Sequence, residues 1–132
     1  MTSILQAFRQ YGPRLGLSST AQLGEVSNWM SMRTGANKSE IIMILQELSD
    51  AILYFNNRGI PVKIPGVGTF TPSIDRRGTI KNHFRADMAL KKGSNAPDAY
   101  KGEVLNKGRI GLDNEGYKAL WDADHPDDPL EI

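Results

Sequence analysis

The chain has few of the residues that enzymes commonly use for chemistry. It contains no cysteine among its 132 residues, which excludes disulfides, thiolate metal sites and thiol nucleophiles. Its two histidines, His83 and His125, lie far apart in the sequence, and neither a Walker-type phosphate loop nor a dinucleotide fingerprint is present. We therefore expect no catalytic residue, no metal site and no cofactor, and an enzymatic function ranks last among the alternatives.

Long apolar stretches are missing as well. No run of the sequence approaches the roughly 20 apolar residues that a membrane span requires. The N-terminus also lacks a basic region followed by an apolar one, the pattern of a secretion signal. Apolar residues at 39% and charged residues at 23% are ordinary for a globular domain. We expect a cytoplasmic protein without a membrane partner or a small-molecule substrate.

The net charge of +1 conceals an uneven distribution of charge along the chain. Residues 58–109 hold eleven Lys and Arg against four Asp and Glu, a net charge of +7. Residues 110–132 hold one lysine against seven acidic residues, a net charge of −6. A basic middle segment is typical of a protein that binds a polyanion, and the acidic end would repel that partner or fold back to compete with it. Two solvated surfaces of opposite sign are the alternative interpretation.

The spacing of apolar residues predicts two helices in the first half of the chain. The first is predicted over about 20–33, with a capping box at Ser19 and Gln22 and an end at Gly35. The second begins at Asn37 and carries an apolar stripe wider than a surface helix needs. The stripe consists of Ile41, Ile44, Leu45, Leu48, Ile52 and Phe55. Burial against a second chain and burial within the same domain explain the stripe equally well.

Alternating polar and apolar residues then predict three strands. They span about 61–65, 68–74 and 79–86, and Asp75–Gly78 forms a hairpin tip. One face is expected to lie on the core and consists of Val62, Ile64, Phe70, Ile74, Ile80 and Phe84. The other face consists of Lys63, Thr69, Thr71, Ser73, Lys81, His83 and Arg85, with Arg76 and Arg77 at the tip. Cations and hydroxyls suit a phosphate backbone, although the outward face of a soluble sheet is polar in any case.

The two ends of the chain carry weaker patterns. Residues 2–9 fit either a helix or a strand, and residues 12–18 predict a loop. Residues 97–112 predict irregular chain or a short hairpin. A helix is predicted over about 114–123, capped by Asp113, and we expect the acidic residues after it to form an exposed tail.

The stretch from Ile60 to Phe70, with its Gly66-Val67-Gly68-Thr69-Phe70 turn, resembles the bacterial HU and integration host factor family of architectural DNA-binding proteins. The resemblance covers about residues 20–95 and includes a short closing helix at Met88–Lys92, which Asp87 would cap. It implies an α+β fold: two N-terminal helices, a three-stranded antiparallel sheet and a short helix. It also implies an intertwined homodimer whose sheet forms a saddle for double-stranded DNA.

The sequence departs from that family's pattern in its arm. Arms of the family are long and carry a proline near the tip that wedges between base steps and kinks the duplex. Here the hairpin between Phe70 and Asp87 is short, and its tip is Arg76-Arg77-Gly78. The resemblance therefore identifies a divergent, short-armed member with an extra C-terminal segment, in which strong bending of DNA is not implied.

These observations lead to one set of expectations. The domains are an N-terminal extension over 1–19, an HU-like DNA-binding domain over 20–96 and a helical C-terminal extension with an acidic tail over 97–132. The expected function is nucleoid-associated binding of double-stranded DNA, largely without sequence specificity. The expected DNA-binding residues are Lys63, Arg76, Arg77, Lys81, His83, Arg85, Lys91 and Lys92. The alternative is a protein-interaction or scaffolding module on an HU-like fold that has lost DNA bending.

Overall fold

The computed structural model describes residues 3–131. Within them the chain divides into two compact units. The central unit is Ser19–Tyr100, and the terminal unit combines the residues before Ser19 with those after Tyr100. Helices and antiparallel sheets occur together, so the α+β class expected from the sequence is confirmed. The domain boundaries at 20–96 and 97–132 stay a prediction.

The secondary structure follows the predicted order in the middle of the chain and adds elements at both ends. The elements are α1 (Ile4–Tyr11), β1 (Arg14–Gly16), α2 (Leu23–Thr34), α3 (Lys38–Asn56), β2 (Val62–Ile64), β3 (Gly68–Ile74), β4 (Ile80–Ala86), α4 (Met88–Ser94), β5 (Glu103–Leu105) and α5 (Asn114–Asp124). A single 3₁₀ turn at Lys107–Arg109 lies between β5 and α5.

The helix ends of the central unit follow from their capping residues, with one exception. The Asn37 side chain caps α3 by accepting a hydrogen bond of 2.8 Å from the Ser39 N–H. Gly35 ends α2 in the left-handed region at φ 75°, which glycine adopts without strain. The predicted capping box at Ser19 is wrong, because α2 begins after Gln22 and no side chain caps it.

The sheet of the central unit is antiparallel in the order β2-β3-β4. Phe70 lies opposite both Val62 and Phe84, so the predicted apolar residues do share one face. The Phe70 and Phe84 ring centroids are 4.9 Å apart. Gly68 is buried at the start of β3, and a Cβ atom there would collide with the carbonyl oxygen of Arg85. This close approach of two strands therefore requires glycine.

Asn56 joins α3 to the sheet. Its side chain is 4% exposed and donates hydrogen bonds to the carbonyl oxygens of Ile60 at 3.1 Å and Phe70 at 3.2 Å. Its Oδ1 accepts a third hydrogen bond, of 3.1 Å, from Asn82 Nδ2. One side chain at the end of α3 thereby fixes the position of both β3 and β4.

The apolar face of the central unit is not covered by other residues of that unit. Ile41 is the one buried hydrophobic side chain in the described residues of this unit. On α3, Ile44 is 63% exposed, and on the sheet Ile74 and Ile80 are 66% and 57% exposed. Ile74, Ile80 and Phe84 share the predicted face, but the expectation that this face lies on the core is not met for them within the central unit, where they are exposed.

The terminal unit brings together the two ends of the chain. β1 pairs antiparallel with β5, with Leu15 opposite Val104. The predicted loop over 12–18 is therefore wrong at β1, and the strand at 103–105 is not part of a local hairpin. Of residues 2–9, which fitted either a helix or a strand, residues 4–9 form part of α1, and residue 2 lies outside the described residues. The core of this unit consists of Ala7, Tyr11, Tyr117, Trp121 and Leu130.

The acidic end is folded onto α5, so the expectation of a tail detached from the fold is wrong, although residues 126–129 are exposed as expected. Leu130 is 2% exposed in the core of the terminal unit. Its N–H donates a hydrogen bond of 2.8 Å to Asp122 Oδ1, and Trp121 Nε1 donates one of 2.7 Å to the carbonyl oxygen of Asp128. These contacts hold the residues that follow α5 against the helix.

Two of the acidic side chains form hydrogen bonds inside the terminal unit. Lys118 Nζ donates to Asp122 Oδ2 at 2.9 Å, and this bond, together with the one from the Leu130 N–H, lowers the pKa of Asp122. The Tyr11 hydroxyl donates to Asp124 Oδ2 at 2.6 Å. Burial, and after it this hydrogen bond, raises the pKa of Tyr11 to about 12.

Replacing Tyr11 with phenylalanine should lower the stability of the protein at neutral pH and have a smaller effect at alkaline pH. The folded-state pKa of Tyr11 is raised from 10.0 to about 12. The hydroxyl therefore contributes its full stabilisation below pH 10 and loses it as the pH rises through 12. We expect Tyr11→Phe to melt at a lower temperature than wild type at pH 7, and the difference to shrink between pH 10 and 12. Circular dichroism would measure the melting temperatures at each pH. Tyr54→Phe, at an exposed tyrosine, is the control and should melt like wild type. A difference between Tyr11→Phe and wild type that does not change with pH would contradict the raised pKa of Tyr11.

Leu130→Ala should destabilise the protein although Leu130 lies near the end of the described residues. Truncating a buried leucine removes its burial free energy and leaves a cavity, which costs about 2 to 4 kcal/mol. Ile110→Ala is the matched control, because Ile110 is 62% exposed in the same unit and its loss should cost under about 0.5 kcal/mol. Urea unfolding measures both values, and equal stabilities would show that the end of the chain is free.

Candidate nucleic-acid interface

The polar side of the central sheet pairs hydroxyl side chains with basic ones. We call this side the basic face; its members are Lys63, Thr69, Thr71, Ser73, Lys81, His83 and Arg85. Across β3 and β4, Thr69 lies opposite Arg85, Thr71 opposite His83 and Ser73 opposite Lys81. Because directly opposite residues point to the same side of an antiparallel sheet, each hydroxyl has a basic neighbour. Hydroxyl and cationic donors next to each other suit the oxygens of a phosphate backbone.

The base of this face is concave. Lys63 on β2 is also opposite Thr69, so that Thr69 lies between Lys63 and Arg85. A surface cavity of about 200 Å³ opens there, lined by these three residues and by Asp87 among others. Thr69 is half-buried, whereas Thr71 is exposed. The basic face therefore has one recessed position and a flatter remainder.

The hairpin tip is held by a carboxylate. Asp75 Oδ1 accepts hydrogen bonds from the backbone N–H groups of Arg77 at 2.8 Å and Thr79 at 3.0 Å. Gly78 completes the turn at φ 84°, as its sequence pattern predicts. The other Asp75 oxygen is 4.0 Å from Lys81 Nζ, an exposed ion pair of little energetic weight. The turn thus presents Arg76 and Arg77 to solvent at the end of a short, ordered hairpin.

His83 is hydrogen-bonded to a serine on the same face. Ser73 Oγ and His83 Nε2 are 2.6 Å apart. A serine–histidine pair occurs in nucleophilic catalysis, but there a third group orients the imidazole through its other nitrogen. Within residues 3–131 no such group bonds to His83, and both side chains are exposed. The pair is better suited to contact a phosphate oxygen than to activate a nucleophile.

The structure brings together half of the residues expected to bind DNA. Lys63, Lys81, His83 and Arg85 share the basic face, and the two arginines lie at the tip. Lys91 and Lys92 are exposed in the last turn of α4, outside the sheet. That these residues bind DNA stays a prediction. Strand alternation predicts Thr69 on this face, but Thr69 is not among the residues expected to bind DNA, because its position between two cations follows from the register of three strands.

We also searched residues 3–131 for a membrane-spanning helix and for a metal site. None of the helices within residues 3–131 is both long enough and apolar enough to cross a membrane. In the same part of the chain, no three His, Asp or Glu side chains are grouped so that they could hold a metal ion.

Comparison with solved structures identifies similar proteins, and two of them are HU proteins. No family model and no curated protein matches the sequence. The V42I mutant of HU from Thermotoga maritima is 24% identical, with a TM-score of 0.47, and the match covers 55% of this chain and 96% of that one. An HU–DNA cocrystal structure from Anabaena is 15% identical, with a TM-score of 0.49, and the match covers 58% of this chain and 100% of that one. The HU chains are thus matched over nearly their whole length, whereas little more than half of this chain is covered.

Proposed function

We propose that this protein binds double-stranded DNA through its basic face, as a homodimer and as an architectural protein of the bacterial nucleoid. The observation that supports the proposal most strongly is the strand register of the hairpin. It sets Thr69, Thr71 and Ser73 directly opposite Arg85, His83 and Lys81. Cations that neutralise phosphates release counterions, and hydroxyls add hydrogen bonds to phosphate oxygens. A surface of this composition binds the backbone of a duplex.

Low sequence specificity follows from what the basic face displays. It carries no asparagine or glutamine, the residues that pair with adenine in the major groove. The nearest amide on the hairpin, Asn82, points to the opposite side of the sheet and is bonded to Asn56. The tip has no proline to wedge between base steps, so a strong kink is not part of the proposal.

Homodimerisation is supported by the open apolar side of the central unit. Ile44 and Phe55 on α3, and Ile74, Ile80 and Phe84 on the sheet, are each between 42% and 66% exposed. Large apolar side chains left exposed on neighbouring elements are typical of a protein interface. A second copy has the same patch to offer, and two-fold symmetry would bring one patch onto the other.

A protein-interaction or scaffolding module is the second candidate function. The observation in its favour is that the terminal unit also exposes apolar side chains, with Leu5, Leu17 and Ile110 at 64%, 83% and 62%. These lie outside the unit that carries the basic face. A scaffold of this kind would not need affinity for DNA, so the salt dependence of DNA binding separates the two functions.

Changing Arg76, Arg77, Lys81 and Arg85 to alanine should weaken binding to duplexes of every sequence. Because each phosphate contact contributes about 0.9 to the slope of log K against log salt concentration, that slope should fall by about 3 to 4. Fluorescence anisotropy with labelled duplexes between about 50 and 200 mM salt measures both quantities.

The matched control changes four exposed cations elsewhere on the chain to alanine: Arg9, Lys38, Lys101 and Lys107. This variant loses the same net charge but leaves the basic face intact. It should keep most of the wild-type slope. Equal losses in the two variants would mean that net charge rather than the basic face attracts DNA.

The protein should have twice its chain mass of 14.6 kDa in solution at micromolar concentration. Ile44→Glu places a charge on the open apolar side and should yield a monomer without a cooperative melt. Leu17→Glu introduces the same charge at an exposed position of the terminal unit and should remain a dimer. Light scattering with circular dichroism makes the measurement, and a wild-type monomer that melts cooperatively would refute the dimer.

A further inference from the structure

We propose that the cavity around Thr69 holds one phosphodiester group of the bound DNA in a fixed position, with Thr69, Lys63 and Arg85 all binding the same phosphate. This inference rests on the proposed function and adds to it an anchoring site. The anchoring site distinguishes one phosphate contact from the others along the basic face. It also gives a binding role to Thr69, which carries no charge.

The register of the sheet makes Thr69 different from the other two hydroxyls. Thr69 lies on the central strand, opposite Lys63 on one side and Arg85 on the other. β2 begins at Val62, which lies opposite Phe70, so its pairing with β3 does not reach Thr71. Thr71 and Ser73 therefore have a basic neighbour from β4 alone. Of the three hydroxyls, only that of Thr69 has a cation on each side, so an anion bound there would contact both cations.

The shape of the surface at Thr69 also favours an anion. The cavity of about 200 Å³ accommodates a phosphate group, and a recess lined by charge concentrates its electric field more than a flat surface does. Asp87 is the acidic residue in the lining, but its Oδ1 is occupied by a hydrogen bond of 2.8 Å from the Ala89 N–H. Two cations therefore face one carboxylate that is already engaged in capping α4.

The backbone around the cavity is held in place before any ligand arrives. Gly68, next to Thr69, packs so closely against β4 that no side chain fits. The Asp87 N–H donates a hydrogen bond of 2.9 Å to the carbonyl oxygen of Val67, which closes the base of the hairpin. The backbone that carries Thr69 and Arg85 is thus fixed, and a preorganised site loses less conformational entropy on binding.

The three side chains would contribute different interactions to the phosphate. The planar guanidinium of Arg85 can donate two parallel hydrogen bonds, the Lys63 ammonium acts as a point charge, and the hydroxyl of Thr69 donates one neutral hydrogen bond. Only the two cations displace counterions from DNA. The loss of the hydroxyl should therefore weaken binding without changing its salt dependence, which separates its role from that of the cations.

Thr69→Val tests the proposal, because valine keeps the β-branched shape and removes the hydroxyl. We expect about tenfold weaker binding to duplex DNA at fixed salt, the usual effect of losing a hydrogen bond to a charged group. The slope of log K against log salt concentration should stay unchanged. Thr71→Val, made on the same strand and face outside the cavity, should weaken binding clearly less than Thr69→Val. Thr20→Val is the matched control, because Thr20 is an exposed threonine of the central unit outside the basic face, and it should bind within about twofold of wild type.

Two further experiments test whether the three residues bind the same phosphate. Lys63→Gln and Arg85→Gln should each lower the slope by about 0.9. Thr69→Val combined with Arg85→Gln should lose less affinity than the sum of the single losses, since both side chains bind one group. Melting by circular dichroism confirms that each variant is folded. Additive losses would place Thr69 and Arg85 on different phosphates and overturn the shared site.

The outcomes separate this inference from the proposed function. If wild-type affinity for DNA does not fall with salt, the proposed function fails, and the anchoring site fails with it. If the salt dependence is steep but Thr69→Val and Thr71→Val bind alike, the basic face binds DNA and the anchoring site is wrong. A last experiment replaces chloride with inorganic phosphate at constant ionic strength. We expect the phosphate to displace little DNA. If it displaces DNA from wild type but not from Thr69→Val, the ligand of the cavity is free phosphate instead.

Discussion

The arrangement of the central unit depends on one buried amide. Asn56 ends α3 and is almost fully enclosed, so each of its polar atoms must find a partner inside the protein. Its partners are the carbonyl oxygens of Ile60 and Phe70 and the amide of Asn82, which belong to the turn, to β3 and to β4. Because a buried amide without partners would cost about 1 to 3 kcal/mol, the helix and the hairpin are held in one relative position. That position determines which side of the sheet faces outward.

The two sides of the sheet divide the proposed functions between them. Alternation along β3 and β4 sends apolar side chains to one side and hydroxyls and cations to the other. Within the central unit the apolar side, with Phe84 and Ile80, stays open, while the basic side needs no cover because it is polar. A second copy on the apolar side would leave Thr69 and Arg85 free for DNA. The proposed assembly and the proposed DNA binding therefore use different surfaces.

The structure of the terminal unit gives the acidic end a structural role that its charge does not predict. A run of negative charge near a C-terminus predicts a solvated tail that competes with phosphate. In the structure Leu130 anchors that segment in a core, while Asp122 and Asp124 accept hydrogen bonds from Lys118 and Tyr11. The negative charge of these side chains is committed to holding the unit together. Cutting the chain within α5 would remove part of that core, so the segment cannot be trimmed without a loss of stability.

The sequence by itself determined the local elements and the residue types on each face, because these depend on periodicity and on neighbouring residues. The caps at Asn37 and Asp113 and the alternation of the three central strands are of this kind. The tertiary structure decided what depends on distant partners. Leu15 pairs with Val104, 89 residues later in the sequence, and the pattern of a three-residue strand does not indicate which strand it pairs with. Thr69 likewise became a candidate anchor once three strands were in register, because a sequence states which side a residue faces but not what lies beside it.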